Sequence, residues 1–254
     1  MGLIRSLGIY LYAGILVIGT YFKLQKAKRL FQQESNPSIN EKIFSEPKNV
    51  SQKVIKRTGS QVIVKGNEKL PNEAVLFVSN HQGLFDILAF LGYLGKPVGF
   101  IAKKEIQKLP IIRSWMKLIH CVFLDRSDRR QSIKAINRGI TFLKEGHSMV
   151  IFPEGTRSRD RTLNPFKPGS LRLATKANVP IVPVAIDGTY QILEKGNGRD
   201  IRSSTITITI HDPIYPTSYK GQKNTELAAN LQEIIQTTLD QNKGSIPHDQ
   251  VTIH

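Results

Sequence analysis

Short apolar runs recur along this chain, each followed by a stretch in which apolar positions return every three or four residues. QVIVK (61–65), AVLFVS (74–79), VGFIA (98–102), CVFL (121–124), MVIF (149–152) and IVPVAI (181–186) have the length and β-branched content of strands. Between them, FDILAFLGYLG, IIRSWMKLI, QSIKAINRGITFLKEG and GSLRLATKANVP carry helical spacing. Continuous apolar strands separated by helices predict an α/β domain whose mostly parallel central sheet is covered on both faces. TITITI (205–210) alternates strictly and predicts a half-exposed strand near an edge. A terminal amphipathic helix follows in NTELAANLQEIIQTTLD, and residues 243–254 read as a loose tail.

The first 34 residues have another character. SLGIYLYAGILVIGTYF carries no charge, and a helix from Leu7 to Phe22 would rise roughly 24 Å, short of a hydrocarbon core of about 30 Å. A cleaved signal peptide is the competing reading, but a basic stretch stands where a small-residue cleavage site belongs. In KLQKAKRLFQQ, Leu24, Ala27, Leu30 and Phe31 share helical spacing while Lys23, Lys26, Lys28 and Arg29 crowd the other faces. That is the pattern of a helix in an anionic membrane surface, or else of a basic helix packed on its own domain. The apolar neighbour favours membrane, and the charge that follows it predicts a domain on the cytoplasmic side of the cell membrane. From Ser35 to about Asn49 the chain turns polar, with Pro37 and Pro47, and reads as a tether or short helix.

Charge narrows the partners without choosing among them. The net charge of +16 draws polyanions: nucleic acid, anionic lipid or phosphorylated substrates. Zinc-finger spacing and an aromatic-rich RNA-binding signature are both missing, so nucleic acid is not an expected partner. Cys121 stands alone among apolar neighbours, which excludes an intrachain disulfide and favours a small buried hydrophobe.

Three strands run straight into polar stretches, AVLFVS into NHQGLFD, CVFL into DRSDRR and MVIF into PEGTRSR. In parallel α/β sheets functional groups gather at such strand ends. On a regular helix His81 and Asp86 would point about 140° apart, so they meet only if His81 precedes the helix and the chain bends at Gly83. In that geometry Asp86 fixes the tautomer and leaves the second ring nitrogen as a base. An N-capping turn with a packed histidine is the plainer alternative. Glu154 falls on a tight turn between Pro153 and Gly155, with Thr156 and Arg157 following. The arginine fork suits phosphate or carboxylate, and the plainer reading is a β-turn with a surface ion pair. Arg126, Lys103 and Lys104 add cations at neighbouring strand ends.

NHQGLFD, FLDR, FPEGTRS and VPIVPVAI, in this order over roughly residues 60–210, resemble the four sequence blocks of the glycerolipid acyltransferase superfamily, most closely its 1-acylglycerol-3-phosphate acyltransferase branch. Gly83 stands where many members carry serine, and His120-Cys121 where a glycine is frequent. The resemblance implies transfer of a fatty acyl group from acyl-CoA or acyl carrier protein to the secondary hydroxyl of lysophosphatidic acid, giving phosphatidic acid. It makes His81 the base, Asp86 its orienting group and Arg157 the phosphate ligand, with Arg126, Lys103 and Lys104 as further cations. Glu154, Gly155 and Thr156 would shape the acceptor pocket, and Pro183 a strand edge or pocket wall. No cofactor or metal is expected beyond the thioester co-substrate. The organisation becomes an anchor at 1–34, an acyltransferase domain at 35–242 and a tail at 243–254. Glycerol-3-phosphate or another lysophospholipid as acceptor is the nearest alternative. A metal-dependent hydrolase using His81, Asp86 and Glu154, and a membrane-tethered nucleic-acid-binding protein, are more distant.

Overall fold

The computed structural model describes residues 2–33, 37–125, 127–195 and 198–244. Seven strands form one sheet: β1 (Gln61–Lys65), β2 (Leu76–Ser79), β3 (Gly99–Lys103), β4 (Val122–Leu124), β5 (Met149–Ile151), β6 (Ile181–Asp187) and β7 (Thr205–Ile210), in the order β1-β7-β6-β2-β5-β3-β4. Every neighbouring pair is parallel except β6 with β7. The strictly alternating TITITI run is β7, next to the edge strand β1, with one face buried and the other partly wet.

The helices are α1 (Gly2–Gly19), α2 (Tyr21–Gln33), α3 (Pro37–Arg57), α4 (Phe85–Tyr93), α5 (Pro110–Leu118), α6 (Arg129–Lys144), α7 (Arg172–Ala177), α8 (Pro216–Tyr219) and α9 (Asn224–Gly244). They divide between the two faces of the sheet. Phe77 points into a core shared with α3, α4 and α5, whereas its neighbours Leu76 and Val78 point into one shared with α6, α7 and α9. This alternation is the period of two working inside a strand buried on both faces. In the DRSDRR stretch, Asp128 caps α6 by accepting from the amides of Arg130 and Gln131 at 2.8 and 3.0 Å, a contribution of about 1 kcal/mol.

Four expectations change. The polar stretch after Ser35 is neither tether nor short helix, since α3 runs for 21 residues through Pro47. Ile43, Phe44, Val54 and Ile55 are buried on one side of α3, and that packing outweighs the hydrogen bond the proline lacks. The apolar N-terminal helix is not continuous from Leu7 to Phe22, because it breaks at Thr20, whose hydroxyl turns back to the carbonyl of Val17 at 2.6 Å. Leu24 and Ala27 of α2 are buried against the domain instead of facing lipid. Pro183 is not on a strand edge: it lies inside the sheet, one residue before the ladder with β7 begins at Val184, where a missing amide is harmless.

Residues 2–33 are joined firmly to the rest. Arg5 Nη2 donates to the carbonyl of Thr58 at 2.6 Å, the amide of Ile201 to Ser6 Oγ at 2.7 Å, and Trp115 Nε1 to Thr20 Oγ1 at 2.9 Å. The other side of α1 is left open, with Ile4, Leu7, Leu11, Ile15 and Ile18 exposed in helical register. Among the described residues α1 is the one helix long and apolar enough to cross a membrane. The terminal tail from residue 245 lies outside the described residues.

Candidate active site

β2 lies between β6 and β5, and β5 next to β3, so the chain segments leaving these four strands meet along one edge of the sheet. The first residue beyond β2 is Asn80, whose amide donates to the carbonyl of Ile186 and accepts from its N–H, both at 2.8 Å. A side chain thus extends the β2–β6 ladder by one rung, and the backbone is free to turn at His81.

The bend then does what a helix would not. His81 precedes α4, Asp86 lies in its first turn, and His81 Nδ1 is 2.7 Å from Asp86 Oδ2. Asp86 is fully buried. The Gly83 amide donates to the same oxygen at 3.0 Å, and the Thr189 hydroxyl makes a short hydrogen bond to Oδ1. Three donors on one buried carboxylate offset its desolvation and keep it an acceptor, so Nδ1 carries the proton and Nε2 is left with a lone pair. The imidazole stacks on Phe152 with centroids 4.2 Å apart, which holds the ring plane.

Glu154 ties the site's loops together. It is buried, its Oε1 accepts the His81 amide at 2.7 Å, and its Oε2 accepts the amide and side chain of Asn164 at 2.9 Å each. Both oxygens are engaged by the protein, so Glu154 links the two loops. Burial pushes its carboxyl above the ordinary glutamate value, against the pull of these donors. Gly155 adopts φ 73°, the left-handed region that the tight turn requires. From the same loop, the Ser158 amide donates to the His81 carbonyl at 2.7 Å, so both main-chain polar groups of His81 are held from outside its own strand.

The cations separate. Arg157 is 43% exposed beside the His81 loop, its Nη1 3.6 Å from Glu194 Oε1, and Thr156 is exposed next to it. Lys104 is tied to Asp125, and this contact together with the Ser127 hydroxyl lowers the aspartate to about 2. Lys103 ends β3 on the surface, and Arg126 lies outside the described residues. No group of three or more metal-ligating side chains occurs among the described residues. A groove of about 920 Å³ lies elsewhere, where His120 and His147 stack just before β4 and β5, at the opposite ends of those strands from the His81 loop.

Several neighbours were not picked out by motif. Asp187 ends β6 and Thr189 follows it, and the strand-end logic applied to three other strands would have reached them. Arg161 grips Asp187 with Nε at 2.9 Å from Oδ1 and Nη2 at 2.9 Å from Oδ2, and Gln82 fills the space between Asp187 and Thr189. Glu194, which accepts the Leu84 amide at 2.7 Å, carries no local sequence signal.

Comparison with known proteins gives the family. The family model described as Acyltransferase matches residues 61–187, from β1 to the end of β6. The probable 1-acyl-sn-glycerol-3-phosphate acyltransferase of Mycoplasma pneumoniae is 35% identical over 191 residues, covering 70% of this chain and 71% of that protein. A chloroplastic 1-acyl-sn-glycerol-3-phosphate acyltransferase of Brassica napus is 38% identical over 154 residues, 60% of this chain, and the match spans 44% of that longer protein. The crystal structure of the 1-acyl-sn-glycerophosphate acyltransferase from Thermotoga maritima superposes with a TM-score of 0.84 at 28% identity, covering 97% of this chain and 98% of that one. By fold, loop chemistry and sequence, the chain belongs to the acyltransferase family, in its 1-acyl-sn-glycerol-3-phosphate acyltransferase branch.

Proposed function

We propose that this protein transfers a fatty acyl group from a thioester, acyl-CoA or acyl carrier protein, to the secondary hydroxyl of lysophosphatidic acid, giving phosphatidic acid. The observation that carries the reading is the His81–Asp86 contact at 2.7 Å, with Nε2 hydrogen-bonded to no described residue. An alcohol is a weak nucleophile near neutral pH, and a positioned base contributes about 10²–10⁴-fold. Nε2 takes the hydroxyl proton as the oxygen attacks the thioester carbonyl. The tetrahedral intermediate collapses with cleavage of the C–S bond, and the imidazolium returns the proton to the departing thiolate. Asp86 stabilises the imidazolium meanwhile, as the aspartate does in a serine-hydrolase triad, with the substrate's hydroxyl in place of the serine. The reaction needs no acyl-enzyme.

Arg157, exposed next to this base, receives the acceptor's phosphate, and Lys103, exposed at the end of β3, is a further strand-end cation for it. The exposed apolar side of α1, with Phe22 beyond it, enters the lipid surface, and the cations of α2 meet anionic headgroups at the cytoplasmic face. The acceptor and product, both lipids, then reach the loop without crossing water.

The test is direct. Purified protein is given lysophosphatidic acid with acyl-CoA or with acyl carrier protein thioester, and phosphatidic acid is measured. His81→Ala abolishes turnover while the fold persists by circular dichroism, and Arg157→Ala raises the acceptor KM far more than the donor KM. Absence of product with both donors rejects the reading, and product from glycerol-3-phosphate in preference to lysophosphatidic acid moves it to the nearest alternative.

A further inference from the structure

Glu194 is a carboxylate beside the catalytic loop to which the proposed reaction gives no work. Its side chain is only 7% exposed. Oε1 accepts the Leu84 amide at 2.7 Å, at the entrance to α4, and lies 3.6 Å from Arg157 Nη1. Oε2 is buried with no hydrogen-bond partner among the described residues. Such an atom is costly, because its hydration is lost and nothing replaces it. The carboxylate also sits directly over Gly83, where a Cβ would come within 2.4 Å of Oε2. The glycine at this position is therefore what makes room for Glu194.

The groups that Glu194 holds are those an anionic ligand would use. A backbone amide at a helix entrance and a guanidinium converge on its carboxylate, and a phosphate oxygen would accept from the same two donors. Glu194 and a phosphate cannot share them, since two anions in contact in a poorly hydrated site repel strongly. We propose that Glu194 gates the acceptor site: its carboxylate occupies the anion position between the Leu84 amide and Arg157, and the acceptor's phosphate binds by displacing it. This rests on the reading that Arg157 receives the phosphate. The weak, offset contact at 3.6 Å and the unpartnered Oε2 mark a placeholder that leaves readily. While the carboxylate is in place the site is closed, and apparent affinity falls by the fraction of time it is open. A site open about one-tenth of the time binds about tenfold more weakly than its intrinsic limit.

The experiment compares the wild type with Glu194→Gln, which keeps size and removes charge, and with Gly83→Ala, whose methyl group evicts the carboxylate. For each, the acceptor KM, the donor KM and the inhibition constant of inorganic phosphate are measured, with folding checked by circular dichroism. Glu194→Gln is expected to lower the acceptor KM and the phosphate inhibition constant together, by about three- to tenfold, with the donor KM unchanged. Gly83→Ala lowers the phosphate inhibition constant in the same direction, whatever it does to kcat, and serves alone if the glutamine variant does not fold. A rise in the acceptor KM of Glu194→Gln means that Glu194 positions Arg157 and overturns the gate, as does no change in either constant. Arg157→Ala separates the levels. If it leaves the acceptor KM untouched, the phosphate assignment itself fails; if it raises KM while Glu194→Gln raises it too, only the gate is lost.

Discussion

Replacing Glu154 by glutamine tests whether this residue is a strut or a substrate ligand. The substitution keeps the shape and turns one carboxylate oxygen into an NH₂ group. In the native loop Oε1 serves the His81 amide and Oε2 serves two donors of Asn164. If the glutamine oxygen stays on His81, Asn164 can flip its own amide to accept from the new NH₂, but its backbone N–H then loses its acceptor. If the oxygen stays on Asn164, the His81 amide faces the NH₂ group. Either way one amide at this buried residue is left unpaired. A hydrogen bond to a charged acceptor contributes about 1.5–3 kcal/mol and an unpaired buried donor costs about 1–3. Relief of the burial that pushes the carboxyl up offsets part of this, leaving a net loss of about 2–3 kcal/mol, or roughly 4–12 °C in Tm at about 2–4 °C per kcal/mol. Displacement of His81 adds a fall in kcat of about tenfold or more, since about 1.4 kcal/mol of barrier is a factor of ten. The assays are thermal unfolding by circular dichroism and steady-state phosphatidic acid formation. A variant with wild-type Tm and kcat but a raised acceptor KM would show that the carboxylate touches the acceptor, and the strut argument would be wrong.

Two further outcomes follow from other contacts. Thr189→Val removes the hydroxyl on Asp86 Oδ1 while the His81 contact to Oδ2 remains, so kcat should fall severalfold with both KM values unchanged, and Thr189→Ser should restore it. Equal losses in the valine and serine variants would point to packing in place of the hydrogen bond. Cys121 is buried and its thiol is pushed up to about 12 by desolvation, so a thiol-reactive disulfide at pH 8 should label it only through unfolding; full labelling of native protein within the mixing time would contradict that burial.

The strands were legible because each apolar run is short and holds β-branched residues, and every one of them lies in the sheet, whether buried on both faces as β2 and β6 are or exposed at the edge as β1 is. The reversal between β6 and β7 was not, since direction within a sheet is set by the connection and not by strand composition. α3 escaped because two prolines and scattered charges mask the buried stripe of Ile43, Phe44, Val54 and Ile55. The His81–Asp86 pair, five positions apart, could be reasoned from one short stretch of sequence. The pairing of its supports could not: Thr189, at a strand end, is 103 positions from Asp86, and Glu194 is 110 from Leu84. Only folding makes such residues neighbours. Glu154 was found by motif, but its bonds to His81 and Asn164 were not legible, for the same reason.

The bonds from Arg5, Ser6 and Thr20 to Thr58, Ile201 and Trp115 bear on the engineering of a detergent-free version. Cutting the chain at residue 34 would strip the cover from Trp115, Ile43 and Phe44, and would trade one greasy surface for another on a weakened scaffold. Repainting is the better route: polar residues at Leu7, Leu11, Ile15 and Ile18 alter only the outward stripe and leave every one of those bonds in place.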